Sequence, residues 1–183
     1  MKRVYETERL KLKVLDGSSA DLVLDYYLRN RSFLKEWEPE RSGEFYTRKH
    51  QEELLDREFS GMESGNSFKV WIFKKQDESR TIGLAAFSNI VRGAFLSCFL
   101  GYKSDKDELN KGYMTEALQK GIDIMFNDFG LHRIEANIMP KNKRSLRVVE
   151  KLGFYNEGLA YKYLRINGKW EDHIHMVLLN DKL

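Results

Sequence analysis

Residues Asn110-Lys111-Gly112-Tyr113-Met114-Thr115-Glu116-Ala117 set one glycine between a polar loop and a helical pattern, an arrangement suited to binding an anion. An apolar strand over 95–100 leads into this loop through Gly101 and Tyr102. Free N–H groups converge at a helix start, and the aligned peptide dipoles favour negative charge there. No proline lies between Tyr102 and Leu131 to remove a donor. Asn110 is one of the few non-glycine residues that tolerate positive φ. Lys103, Lys106, Lys111 and Lys120 add positive charge nearby. The chemistry is pyrophosphate binding by backbone donors; the plainer reading of one glycine before a helix is a turn. The run is neither a Walker loop nor the three-glycine fingerprint of a dinucleotide fold.

Other residues are of types that move protons. Ser145 shares a helical face with Val148, Val149 and Leu152 and is the lone hydroxyl on it, one turn from the helix start. It reads either as a proton donor or as a serine satisfying helix N–H groups. Asn142 is a strong helix cap. Arg144, Arg147 and Lys151 form the outward stripe, a solvated face by default and otherwise a phosphate contact. Asp172 shares a strand face with Trp170, Ile174 and Met176, where partial burial would raise its pKa. It reads as a base or as a structural hydrogen-bonding carboxylate. His173 and His175 fall on the opposite face, and His132 reads as a packed or capping histidine.

The elements that must position these groups follow from periodicity and turn residues. Leu10, Leu12 and Val14 alternate with charged residues as a half-buried strand. Asp16-Gly17-Ser18-Ser19 is a turn, with Ser18 or Ser19 capping a helix to about Leu28. Residues 31–45 read as irregular, and Thr47 opens a helix stopped near Gly65. Strands over 67–75 and 80–91, joined by a short turn, continue into the strand before the loop as an antiparallel meander. Leu118, Ile122, Met125 and Phe129 mark one face of the central helix, with Gly121 near that face allowing close approach to a sheet. A strand over 132–138, a helix over 141–152 ended by Gly153, and two strands joined by Asn167-Gly168 complete the chain.

The 183 residues form one expected domain, 1–183, of ordinary composition, with 42% hydrophobic and 32% charged residues. A net charge of +3 is too small to argue for nucleic acid. No stretch is long enough to span a bilayer and the start lacks an apolar signal region, so the chain reads as cytoplasmic. Cys98 is the only cysteine, placed in an apolar strand as a core thiol, and no metal-ligating set stands out.

Asn142-Lys143-Arg144-Ser145, followed by Lys151-Leu152-Gly153-Phe154, resembles the N-x-x-S…K/R-x-G-F segment of the GNAT N-acetyltransferases. The central run is similar to the acetyl-CoA loop of that superfamily with its Thr-Glu-Ala. Stretches 33–39, 87–93, 132–145 and 167–173 extend the likeness to the RimJ/RimL branch, most of all to RimJ-type ribosomal-protein-alanine N-acetyltransferases. Two departures stand out. Leu109 and Asn110 replace a polar residue and a glycine, and Val149 stands where many members carry a tyrosine, so a phenol at that position is not the acid.

The resemblance implies an α/β (α+β) fold, a mostly antiparallel mixed sheet with helices on both faces. It implies acetyl transfer from acetyl-CoA to an amine, with no metal. The cofactor residues carried over are Leu100, Gly101, Tyr102, Leu109, Asn110, Lys111, Gly112, Tyr113, Met114, Thr115, Asn137, Asn142 and Arg144. Ser145 is the implied acid for the departing thiolate, Asp172 the nominated base, and Trp37 a wall of the acceptor site. The implied acceptor is a protein N-terminal α-amine, with ribosomal proteins beginning in Ala or Ser as candidates and no direct nucleic-acid contact. An α-amine titrates near 7.7–8.0 and a lysine near 10.4, so a site without a strong base suits the former. Small-molecule amines such as polyamines or aminoglycosides, or a non-catalytic acyl-CoA-binding or ribosome-associated module, are the alternatives. A monomer and a homodimer are both compatible with the sequence.

Overall fold

A computed structural model describes residues 2–183. Its frame is one eight-stranded sheet in the order β1-β2-β3-β4-β5-β6-β8-β7. In chain order the strands are β1 (Val4–Glu6), β2 (Leu10–Lys13), β3 (Phe68–Lys74), β4 (Gly83–Val91), β5 (Ser97–Ser104), β6 (Arg133–Ile138), β7 (Tyr155–Ile166) and β8 (Lys169–Leu179). The helices are α1 (Ala20–Leu34), α2 (Arg48–Glu63), α3 (Tyr113–Asn127) and α4 (Lys143–Lys151). Every neighbouring pair is antiparallel except β5 and β6.

Strand alternation divides the core in two. Val70 and Ile72 join Leu118, Ile122, Met125, Leu146 and Val149 from α3 and α4. Trp71 and Phe73, alternating with them on β3, pack instead with Val23, Tyr26, Tyr27 and Leu55 from α1 and α2. Helices therefore cover both faces, as the resemblance implied.

The expected central helix forms with its apolar face buried, and Gly121 sits where a Cβ would lie 2.8 Å from the Phe87 ring. Thr47 caps α2 by accepting from the His50 N–H at 3.3 Å, and Asn167 and Gly168 both adopt positive φ in the β7–β8 turn.

Several boundaries differ from the sequence reading, β5 among them: it runs Ser97–Ser104 and not 95–100, because Leu96 turns the chain with φ 43°. α1 runs to Leu34 instead of Leu28 because its polar last turns find distant partners. Asn30 is fully buried, accepting from the Lys106 N–H at 2.9 Å, while Arg29 pairs with the buried Asp105. At the entry, Asp16 caps a short 3-10 turn over Gly17–Ser19 by accepting from the Ser18 N–H at 3.1 Å, while Ser19, the N-cap of α1, makes no side-chain capping bond. β7 begins at Tyr155 and not Tyr161; register shifts interrupt its pairing with β8, which blurs the alternation.

The parallel pair sets the site. β5 and β6 are joined only at Ser97↔Arg133, Cys98↔Ile134 and Phe99↔Glu135. Beyond these, β5 continues against β4 to Ser104 and β6 continues against β8 to Ile138. From Leu100 onward two strand edges face a gap.

Because Gly121 lets α3 close onto Phe87, Gly121→Val overpacks a fully buried ring. The expected cost is about 1–3 kcal/mol, read as a fall of roughly 2–12 °C in Tm for a chain of this size. An unchanged Tm in thermal unfolding would contradict this packing.

Candidate active site

At the mouth of the gap, Gly112 caps α3 with φ 80° and Asn110 holds φ 62°. Both are left-handed conformations, which turn the loop under the helix. Among the described residues, no backbone N–H from Gly112 through Thr115 finds an acceptor within the chain. A run of unsatisfied donors at a helix N-terminus is the condition for holding an anion.

This loop is locked from outside by Arg9 and Thr7. Thr7 Oγ1 donates to Glu116 Oε1 at 2.5 Å, and the Arg9 N–H and Nε donate to Glu116 at 2.8 and 2.7 Å. Arg9 Nη1 donates to the Lys111 carbonyl at 3.1 Å, and its guanidinium lies 4.7 Å from the Tyr113 ring centroid. Burial pushes the Glu116 carboxyl up, but the bonds from Thr7 and Arg9 outweigh it and hold it below its ordinary value. Alternation with Leu10, Leu12 and Val14 reads Arg9 only as an outward strand residue, whereas it lies just before β2.

The lysines contribute less free charge than expected. Lys111 donates to Glu108 at 2.8 Å, Lys120 to Asp123 at 3.0 Å, and Lys103 turns to Glu38 on the opposite face. Glu108 also pairs with Lys74 at 2.9 Å and Arg80 at 3.1 Å. Burial pushes its carboxyl up, yet hydrogen bonds from Lys111 and Lys74 bring it down to about 2.

A cavity of about 810 Å³ follows the gap. Of the residues nominated from sequence, Lys111 and Asp172 do not line it; all the others do, from Trp37 on the α1–α2 connection to Ser145 on α4. Asn142 Oδ1 accepts from the Ser145 N–H at 3.2 Å, so it caps the helix as well as facing the cavity. Arg144 lies 5.9 Å from the Phe33 ring centroid, linking α4 to α1.

Ser145 does have a phenol beside it. Its Oγ donates to the Tyr102 hydroxyl at 2.6 Å, and that hydroxyl donates to the Ser145 carbonyl at 2.9 Å. The sequence reading excluded a phenol on α4 because of Val149; β5 supplies one from across the cavity. Burial pushes the Tyr102 phenol well above its ordinary value, so it stays protonated at neutral pH. Cys98 is a core thiol, pushed by burial up to about 12.

Asp172 is placed elsewhere. Its carboxylate accepts from the Lys162 N–H at 2.8 Å, pinning an irregular stretch of β7 where Lys162 has φ 49°. The neighbouring residue on the other strand face, His173, reaches the cavity instead. It is 3% exposed, its Nδ1 lies 3.0 Å from the Glu171 carbonyl, and burial pushes the imidazole below its ordinary pKa. Alternation had separated the two residues correctly, but not which face meets the ligand. Asn137 approaches Tyr163 at 3.5 Å through Nδ2, while its buried Oδ1 has no donor within the chain. Among the described residues, no group of three or more His, Cys, Asp or Glu is arranged to hold a metal ion, and no helix is long and apolar enough to cross a membrane.

An acetyltransferase (GNAT) domain matches residues 9–155. The chain belongs to the GNAT acetyltransferase family. The ribosomal protein uS5-alanine N-acetyltransferase of Escherichia coli is 42% identical over 170 residues, 92% of this chain and 86% of that protein. The ribosomal-protein-S5-alanine acetyltransferase of Vibrio fischeri superposes with a TM-score of 0.93 at 37% identity, covering 98% of each chain. Mycobacterium smegmatis RimJ, in complex with CoA-disulfide, gives 0.87 at 26% identity over 95% of this chain and 83% of that one. As a GNAT member the chain is an acetyl-CoA-dependent acetyltransferase. Its free N–H run at 112–115 suits the pyrophosphate, and the unpaired edges of β5 and β6 suit the amide-bearing arm.

The cluster around Glu108 gives a pH signature. Its folded pKa of about 2 lies below the roughly 4.3 of an unfolded glutamate, so its stabilisation is complete above the latter and lost as pH falls toward the former. With partners partly exposed, Glu108→Gln is expected to cost about 1–2 kcal/mol at pH 7. The Tm gap between the two proteins should narrow between pH 4.5 and 2; a gap constant with pH would contradict the ionic account.

Proposed function

We propose that this chain transfers acetyl from acetyl-CoA to the N-terminal α-amine of a protein, with ribosomal proteins beginning in Ala or Ser as the acceptor class and the cytoplasm as the place of action. The observation that carries the reading is the continuity of the site. One cavity joins the anion-binding loop, the gap between β5 and β6, and a chamber walled by Phe33, Trp37 and Phe45. Similarity to the Escherichia coli uS5-alanine enzyme along 92% of the chain supports the choice of acceptor.

In this reading, backbone donors of 112–115 hold the pyrophosphate and the edge at Leu100, Gly101 and Tyr102 pairs with the arm. A backbone N–H on that edge stabilises the oxyanion as the amine adds to the thioester carbonyl. Ser145, with its hydroxyl in the Tyr102 hydrogen bond, supplies the proton that the departing thiolate takes. Asn142 fixes Ser145 by capping its helix, and Arg144 and Asn137 contact the cosubstrate. Asp172, held by the Lys162 N–H, is left outside the chemistry. Trp37 limits the chamber to a chain end.

The test presents peptides with a free N-terminal Ala or Ser, and the same peptides blocked at the N-terminus but containing lysine, and locates the acetyl group by mass spectrometry. Acetylation is expected at the α-amine, with Ser145→Ala lowering kcat by about 10²-fold while acetyl-CoA affinity changes little. Modification at lysine alone, or turnover of polyamines with none on peptides, would overturn the reading.

A further inference from the structure

Glu38 lies next to Trp37 on the α1–α2 connection and lines the cavity, with its side chain only 7% exposed. Its backbone carbonyl accepts from the Asn167 N–H at 2.9 Å, so the β7–β8 turn holds the connection in place. A carboxylate buried in an aromatic chamber is costly to desolvate. The Lys103 ammonium stands in ion contact with its Oε1 and offsets that cost. Arg41 reaches Oε2 only at 3.6 Å.

Lys103 indicates what the carboxylate is built to hold. Its Nζ rests against Glu38 and stands 5.5 Å from the Tyr27 ring centroid. A primary ammonium between a carboxylate and an aromatic ring is the environment that an N-terminal α-ammonium would seek.

Register gives the pocket its side of the sheet. Lys103 pairs with Leu84, and Leu84 with Trp71, so all three share the face covered by α1 and α2. Tyr102 points to the other face, where it meets Ser145. Gly101 returns to the Lys103 face at the gap without a side chain to block it. The ammonium pocket and the hydroxyl pair therefore lie on opposite faces of β5, with the open edge between them.

We propose that Glu38 receives the acceptor's α-ammonium in the place where the Lys103 ammonium stands, and takes its proton. This rests on the reading of N-terminal acetyl transfer and supplies the base that reading lacks. The ammonium gives one proton to Glu38 and on to solvent. The neutral nitrogen attacks the thioester carbonyl, the C–N bond forms and the C–S bond breaks. A second proton leaves the nitrogen through Glu38, and the thiolate takes one from the Ser145–Tyr102 pair, which solvent refills. The products are the amide, free CoA thiol and one released proton. The charged and titratable groups around this carboxylate are Lys103 and Lys69 from the sheet, Arg41 from the connection, Glu58 from α2, and the Tyr26 and Tyr27 phenols of α1.

The experiment measures kcat/KM for an N-terminal Ala peptide between pH 6 and 9.5 in wild type, Glu38→Gln and Glu38→Asp, with acetyl-CoA Kd and Tm for each. Glu38→Gln should lose roughly 10²-fold or more at pH 6.5 with Kd within about twofold of wild type. Its deficit should shrink with rising pH as the amine deprotonates by itself near 7.7–8.0. Glu38→Asp should fall between the two. If Glu38→Gln fails to fold, Lys103→Met decides: removing the resident ammonium should lower the peptide KM by about threefold or more. A Glu38→Gln deficit constant with pH, no deficit, or a Lys103→Met variant with raised KM would overturn the proposal. Wild type inactive on every N-terminal peptide would instead overturn the acceptor reading on which it rests.

Discussion

The structure depends on the brevity of one parallel strand pair. β5 and β6 hold each other through three residue pairs and then part, each keeping its outer neighbour. Unpaired backbone polar groups are expensive to bury, so such a gap persists only where water or a ligand satisfies them. An amide-bearing arm that enters as an additional strand does so with main-chain hydrogen bonds, as in strand addition generally. The cavity, the helix N-terminus at Gly112 and the Ser145–Tyr102 pair are all ordered around that opening.

Charge is used to fix geometry more than to attract. Arg9 and Thr7 from the β1–β2 turn clamp Glu116, and Glu108 gathers three cations beneath the loop. These pairs leave the loop's own N–H groups uncommitted, because the side chains take one another as partners. In the proposed reading the binding surface is presented by backbone, and Leu109 and Asn110 fit that reading because neither substitution removes an N–H.

Local features were legible in the sequence because they rest on local physics. The left-handed needs of Asn110, Gly112, Asn167 and Gly168, the Thr47 cap and the apolar face of α3 were all readable from spacing. What escaped depends on partners far along the chain. Asn30 and Arg29 extend α1 because Asp105 and Lys106 lie across from them. Arg9 meets Glu116, and Tyr102 meets Ser145, only after the sheet assembles. Asp172 and His173 were assigned to opposite faces by alternation, but which face the cavity occupies is decided by the helices that cover the sheet. The Glu38 pocket carried no sequence signal beyond its neighbour Trp37, since a carboxylate in an irregular connection reads as solvated.

The central claim, that the parted edge of β5 receives the cosubstrate's arm as a strand, is tested most directly by amide hydrogen exchange resolved residue by residue. Acetyl-CoA should slow the fast-exchanging amides between Leu100 and Lys103 together with those from Asn110 to Thr115. Adenosine 3′,5′-bisphosphate, which lacks both the arm and the pyrophosphate, should leave the first set fast. Protection by acetyl-CoA confined to 110–115, with 100–103 exchanging as in the free protein, would contradict it.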